Sequence, residues 1–145
     1  MTSTAKINWA RVAAGGALAG VVHFLITGVV NGAILSGALQ DWLRGVGGLL
    51  HPPAQPDPML LWALMSLIYG FAGVWSYAAM RPRFGAGPRT ALLAGLALWV
   101  VSKLTVAFDL VALGLVPLQI VVGQSIGGLI AVTLGVFLGC WVYRE

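Results

Sequence analysis

The sequence predicts an all-α membrane protein, a bundle of four transmembrane helices with both termini on the cytoplasmic side. Three observations predict it. Charged residues make up only 8% of the chain and hydrophobic ones 59%, whereas an average soluble domain carries about 25% charged residues. Four apolar stretches each match a hydrocarbon core about 30 Å thick at a helical rise of about 1.5 Å per residue. Together they nearly exhaust the 145 residues, so residues 1–145 read as a single membrane domain with no stretch left for a soluble catalytic domain. Finally, lysine and arginine gather at one set of helix ends, and such an excess marks the cytoplasmic side. No window sustains strand alternation between turns, which excludes a β-barrel.

The first span is expected from about Val12 to Leu35. Lys6 and Arg11 precede it in the manner of a secretory signal. Its apolar run exceeds the usual ~7–15 residues of such a signal, so it reads as an uncleaved anchor. Residues 40–58 form the long outer loop. Its first half, from Asp41-Trp42-Leu43-Arg44 to Leu50, mixes polar and apolar residues in the manner of a segment lying on the membrane surface. The second half, HPPAQPDP, is too rich in proline to be regular. This loop reads first as a spacer anchored by Trp42, with a lid or docking surface as the alternative. The second span is expected over Met59 to Met80. It is followed by RPRFGAGPR, Arg81 to Arg89, a connection broken by proline and glycine. The third span covers Thr90 to Val111, and a tight turn from Gly114 to Pro117 leads into the fourth, Leu118 to Tyr143.

With these spans, Lys6, Arg11, Arg81, Arg83, Arg89 and Arg144 lie on one side and Arg44 alone on the other, six against one. Lys103 is inside a span and does not count. Trp and Tyr prefer the two interfaces. Trp9, Trp75, Tyr77, Trp141 and Tyr143 mark the inner one, Trp42 and Trp62 the outer.

A weak internal repeat accompanies this layout. Gly73-Val-Trp75-Ser-Tyr77 closes the second span and Gly139-Cys-Trp141-Val-Tyr143 the fourth, while Arg11 and Arg89 open the two hairpins. Val21 to Leu25 can be laid beside Val100 to Leu104. The pattern is that of two tandem helical hairpins, although GxWxY is also a generic interfacial ending.

Helix association in lipid relies on close approach through small residues. The fourth span carries Gly123, Gly127, Ala131, Gly135 and Gly139 at four-residue steps. The first carries Gly16 and Gly20, then Gly28, Gly32 and Ser36, interrupted only by Phe24. These ridges are expected to mate within the bundle, with a second copy or another membrane subunit as the alternative partner.

Polar groups inside a span are costly and tend to face a cavity or a partner. His23, Thr27 and Asn31 recur every four residues on one face of the first helix. On the third helix Ser102, Thr105 and Asp109 share a face, with Lys103 about 100° round from Ser102. Gln119, Gln124 and Ser125 belong to the outer end of the fourth. The expected site is a polar pocket opening outward and formed by His23, Thr27, Asn31, Lys103 and Asp109. Lys103 is expected to find its partner on another helix, Asn31 or a backbone carbonyl.

Several chemistries are disfavoured. Cys140 is the one cysteine, so no disulfide framework, CxxC pair or cysteine metal site is expected. His51, Asp41 and Asp57 match no metal-ligand spacing, and a single intramembrane histidine does not make a haem pair. No cofactor and no metal is expected. The net charge of +4 is spread over helix ends and forms no patch for nucleic acid. The basic ends read as topology determinants facing the lipid bilayer.

Trp75-Ser-Tyr77-Ala-Ala-Met-Arg81-Pro-Arg83-Phe-Gly85-Ala-Gly-Pro, the continuation Arg89 to Trp99, and the ending Trp141-Val-Tyr143-Arg-Glu resemble a group of small uncharacterised bacterial four-span inner-membrane proteins. The resemblance covers most of the chain and implies the topology and a bacterial inner membrane, but no activity and no site residue. The sequence lacks the paired cysteines of quinone-linked thiol oxidoreductases, the histidine pairs of diheme cytochromes and the N-terminal membrane glutamate of small multidrug exporters. The leading expectation is therefore a non-enzymatic accessory or interaction subunit. The alternative is a small transporter or binder of a small molecule that uses the outward pocket. An enzyme acting on lipid comes third, since only His23 with Ser102 or Thr105 offers a base and a nucleophile.

Overall fold

A computed structural model describes residues 7–47 and 57–143. Four of its helices are long and apolar enough to cross a membrane: Trp9–Ile34, Pro58–Phe84, Pro88–Ala112 and Leu118–Val142. They are the first to fourth spans of a multi-pass membrane protein. A short helix, Ser36–Val46, follows the first span, and among the described residues there is no strand. Residues 48–56 of the loop, with His51, lie outside the described residues, as do Lys6 and Arg144.

Local chemistry sets the helix ends. Asn8 caps the first span, its Oδ1 accepting from Arg11 N–H at 3.1 Å, and Asp57 caps the second by accepting from Met59 N–H at 2.8 Å. Both supply an oxygen to orphan donors of the first turn. Pro58 and Pro88 occupy the first turns of the second and third spans, where a missing N–H costs nothing. The second span does not stop at Met80 as expected. It runs on through Pro82 to Phe84 and ends at Gly85, whose φ of 82° is the left-handed turn. Pro82 forfeits one helical hydrogen bond, but it does so in a terminal turn that is exposed, so the loss is far smaller than in mid-helix.

The small-residue ridge of the fourth span mates with the first span inside the bundle. A Cβ at Gly135 would stand 2.7 Å from Ala19 O and one at Gly139 2.5 Å from Gly15 O. Ala131 is fully buried, and Gly123 and Gly127 receive Leu35 and Val30. Gly16 and Gly20 of the first span instead seat against Phe71 and Leu67 of the second. Gly28 and Gly32 do not pack at all, because nothing lies within 4 Å of a Cβ built on either. The expected ridge of the first span therefore ends at Gly20, and Gly28 and Gly32 beyond it face open space.

The core sits at one end of the bundle. Val12, Val74, Tyr77, Ala78, Ala91, Ala94, Val136, Cys140 and Tyr143 form it, all from the half nearest the termini. There the start of the first span meets the end of the fourth, since Asn8 N–H donates to Tyr143 Oη at 3.1 Å. Tyr77 makes the equivalent bond, accepting from Gly87 N–H at 3.2 Å at the start of the third span. The two tyrosine rings touch edge to face, 6.2 Å apart at 89°. Each closing tyrosine thus anchors the beginning of the other hairpin, an arrangement that agrees with two related hairpins. It also removes Tyr77 and Tyr143 from the interfacial belt, as both are buried while Trp9, Trp75 and Trp141 are exposed.

At the far end the bundle splays. The backbones of the first and third spans do not approach one another, and that of the second packs closely on the third only along Pro88–Trp99, with the Lys103 side chain reaching Tyr69 beyond it. Beyond that point the two diverge.

Candidate functional site: a cavity in the splayed half of the bundle

The divergence leaves a cavity of about 700 Å³. Its walls come from the first span (His23, Thr27, Asn31), the second (Met59, Trp62, Ser66), the third (Lys103, Val106, Leu110) and the fourth (Gln124, Ser125). Leu39, Trp42 and Leu43 of the short helix cover its end. That helix is accordingly more than a spacer, for its apolar side roofs the cavity while Arg44 and Asp41 pair outside at 3.1 Å. Gly28 and Gly32 lend their bare backbone to the wall.

Two interruptions of helical winding flank this space. Val30–Ile34 and Val100–Leu104 are π-helical turns, closed for instance by Leu35 N–H donating to Val30 O at 2.8 Å. A π turn accommodates one extra residue and so rotates everything beyond it by about 100°. The face expected on the third helix is not the one that lines the cavity. Thr105 and Asp109 are exposed and line no part of the cavity; Val106, Ala107 and Leu110 take their place. Of the five residues expected in the pocket, His23, Thr27, Asn31 and Lys103 are brought together and Asp109 is not.

The polar floor is specific. His23 is 1% exposed, and its Nδ1 lies 2.9 Å from Ser66 Oγ on the second span. The other ring nitrogen, Nε2, is buried and has no hydrogen-bond partner within the protein. Thr27 Oγ1 donates to His23 O at 2.8 Å and Asn31 Nδ2 to Thr27 O at 2.8 Å, while Gln124 Nε2 donates to Asn31 Oδ1 at 2.9 Å. Asn31 is thereby committed to Gln124 and is not the partner of Lys103. The Lys103 ammonium lies over the face of Tyr69, 4.7 Å from the ring centroid, and the same ring stacks at 5.0 Å on His23.

Magnitudes show what this leaves. A lysine at mid-span costs about 2.5–3.5 kcal/mol, and a desolvated cation–π contact returns about 2 kcal/mol. The tyrosine face alone does not cover the cost. Among the described residues that line the cavity, Lys103 carries the only charge.

Ser66 and Tyr69 were not expected. They are three residues apart on one helical face, the first polar side chains met along a span that is otherwise apolar from Met59 to Val74, and that isolation was the available signal. The Ser66–His23 pair resembles a nucleophile with its base. Yet its Nε2 lacks an orienting carboxylate, and the hydrogen bond instead fixes the imidazole with its second nitrogen unengaged. Among the described residues no group of three His, Cys, Asp or Glu stands close enough to hold a metal ion.

Comparison of the chain with protein-family models, with curated proteins and with solved structures finds no match.

Proposed function

We propose that this membrane protein is a non-enzymatic binder or small transporter of a small, largely apolar molecule held in the splayed half of the bundle. The observation that carries the reading is the cavity itself, about 700 Å³, within the ~300–1,000 Å³ range of small-molecule sites and similarly composed of apolar walls with a few convergent polar groups. The expectation of an accessory subunit drew on the small-residue ridges and on the absence of a catalytic constellation, and the fourth-span ridge is occupied by the first span. One feature still favours a partner, the cleft between the outer halves of the second and third spans, which would seat a foreign helix. The resemblance noted above and the arginine-rich end support a bacterial inner membrane with the termini inside and the cavity facing outward.

The test is native mass spectrometry of protein released gently from its own membrane, beside a Gly28→Phe variant. Open space at Gly28 lets the phenyl group enter the cavity without disturbing a helix contact. A small molecule that accompanies the wild type and is lost from the variant is the expected result. A co-purifying polypeptide crosslinked to Met59 or Val106 would transfer the cleft to a subunit role. Wild type arriving empty and behaving like Gly28→Phe in every assay would remove the binding reading.

A further inference from the structure

Resting on that binding reading, we infer that the occupant is a monoanionic amphiphile whose charged head meets Lys103 and His23 and whose apolar body fills the space beneath the short helix. Three observations converge on it. Lys103 is the only charged group among the described lining residues, and its ammonium has an aromatic face as its neighbour instead of a carboxylate. In a low-dielectric wall such a charge strongly favours an anion over water or a neutral dipole.

His23 supplies the second point of attachment. It is 1% exposed, lines the cavity and leaves Nε2 without a partner. When the Ser66 hydroxyl donates into Nδ1, the neutral ring carries its proton on Nε2 and offers it as a donor. Both groups adjoin the same ring, that of Tyr69, so they converge on one small region of the floor. A carboxylate or phosphate oxygen there would accept from the ammonium and from Nε2–H together, and charge-assisted bonds of this kind are the strong ones.

The remaining surface is apolar and directional. From His23 to Asn31 the first span rises about 12 Å, and along that depth the walls are Phe24, Trp62, Met65, Val106 and Leu110. Met59, Trp62 and Val106 are at least half exposed on the margins of the cleft, and the spans bearing them do not meet there. An acyl chain could enter sideways from the bilayer without leaving an apolar environment. A free hydrophilic anion would find no such path.

Trp42 and Trp62 line the cavity and report on its occupant. Protein in nanodiscs of zwitterionic lipid is titrated with 11-bromoundecanoate and, separately, with 11-bromoundecanol, following tryptophan quenching. A parallel set of discs contains bromine-labelled phosphatidylglycerol. The acid is expected to quench saturably at a concentration at least tenfold below the alcohol. Lys103→Met should erase that preference while the alcohol still binds. If only the labelled phospholipid quenches, with the same dependence on Lys103, the anionic head is that of a bilayer lipid and the inference stands with its source assigned. Equal binding of acid and alcohol by the wild type overturns the charged head but leaves the cavity a binding site. No saturable quenching by any probe overturns both, and the wild-type comparison decides even if Lys103→Met fails to fold.

Discussion

At the scale of single residues, glycine does two opposite jobs in this chain, and a methyl group separates them. A Cβ on Gly70 would collide with Gly16 O and the Gly20 backbone, so the first and second spans would have to part. Overpacking of this kind costs about 1–3 kcal/mol. Gly28 has nothing within 4 Å of the same atom, and replacing glycine in a helix at an unstrained site gains about 0.4–1 kcal/mol. Unfolding in mixed detergent should therefore show Gly70→Ala as the weaker protein and Gly28→Ala as equal to or stronger than the wild type. Loss of stability from Gly28→Ala would mean that a neighbour does occupy the space. The four-residue recurrence of His23, Thr27 and Asn31 was legible because one helix carries all three. Their partners Ser66 and Gln124 were not, because contact across 43 and 93 residues depends on how the helices are rotated, which hydropathy does not encode.

At the scale of elements, span number, helix type and approximate ends follow from apolar length and from proline and glycine. What escaped was which face of the third helix turns inward. Asp109 stands about 120° from Lys103 even on an ideal 3.6-residue wheel, whereas Val106, Ala107 and Leu110 follow Lys103 at helical spacing and line the cavity with it. Similar depth in the membrane does not put two residues on one face, and the π turns at Val30–Ile34 and Val100–Leu104 leave no mark in polar residue identity. The two GxWxY endings, which suggested a repeat of the hairpins, share a mechanical role in the structure: Tyr143 holds Asn8 and Tyr77 holds Gly87. Deleting a hydroxyl leaves the ring packing in place and removes one hydrogen bond, worth about 0.5–1.5 kcal/mol. Tyr77→Phe and Tyr143→Phe should lower thermal stability in detergent by similar amounts. A large loss from one and none from the other would show that the hairpins are not equivalent at their closing ends.

At the scale of the whole molecule, the polarity of the bundle determines which leaflet the cavity serves. The packed end gathers Arg11, Arg81, Arg83 and Arg89, whereas the splayed end has Arg44, already paired with Asp41 at 3.1 Å. On the topology proposed above, in which positive charge is retained on the cytoplasmic side, the packed end lies inside and the cavity faces the outer leaflet. Single cysteines test this without disturbing packing. Gly37 on the short helix has open space around it, Ala86 lies exposed between the second and third spans, and native Cys140 is buried. In intact cells a membrane-impermeant maleimide should label Gly37→Cys and spare Ala86→Cys, which becomes reactive only once the cells are opened. The reverse pattern would turn the bundle over, and the occupant of the cavity would then come from the inner leaflet. With the expected pattern, a molecule arriving in the outer leaflet reaches the cleft between the second and third spans by lateral diffusion alone, and meets Lys103 before it has crossed the membrane.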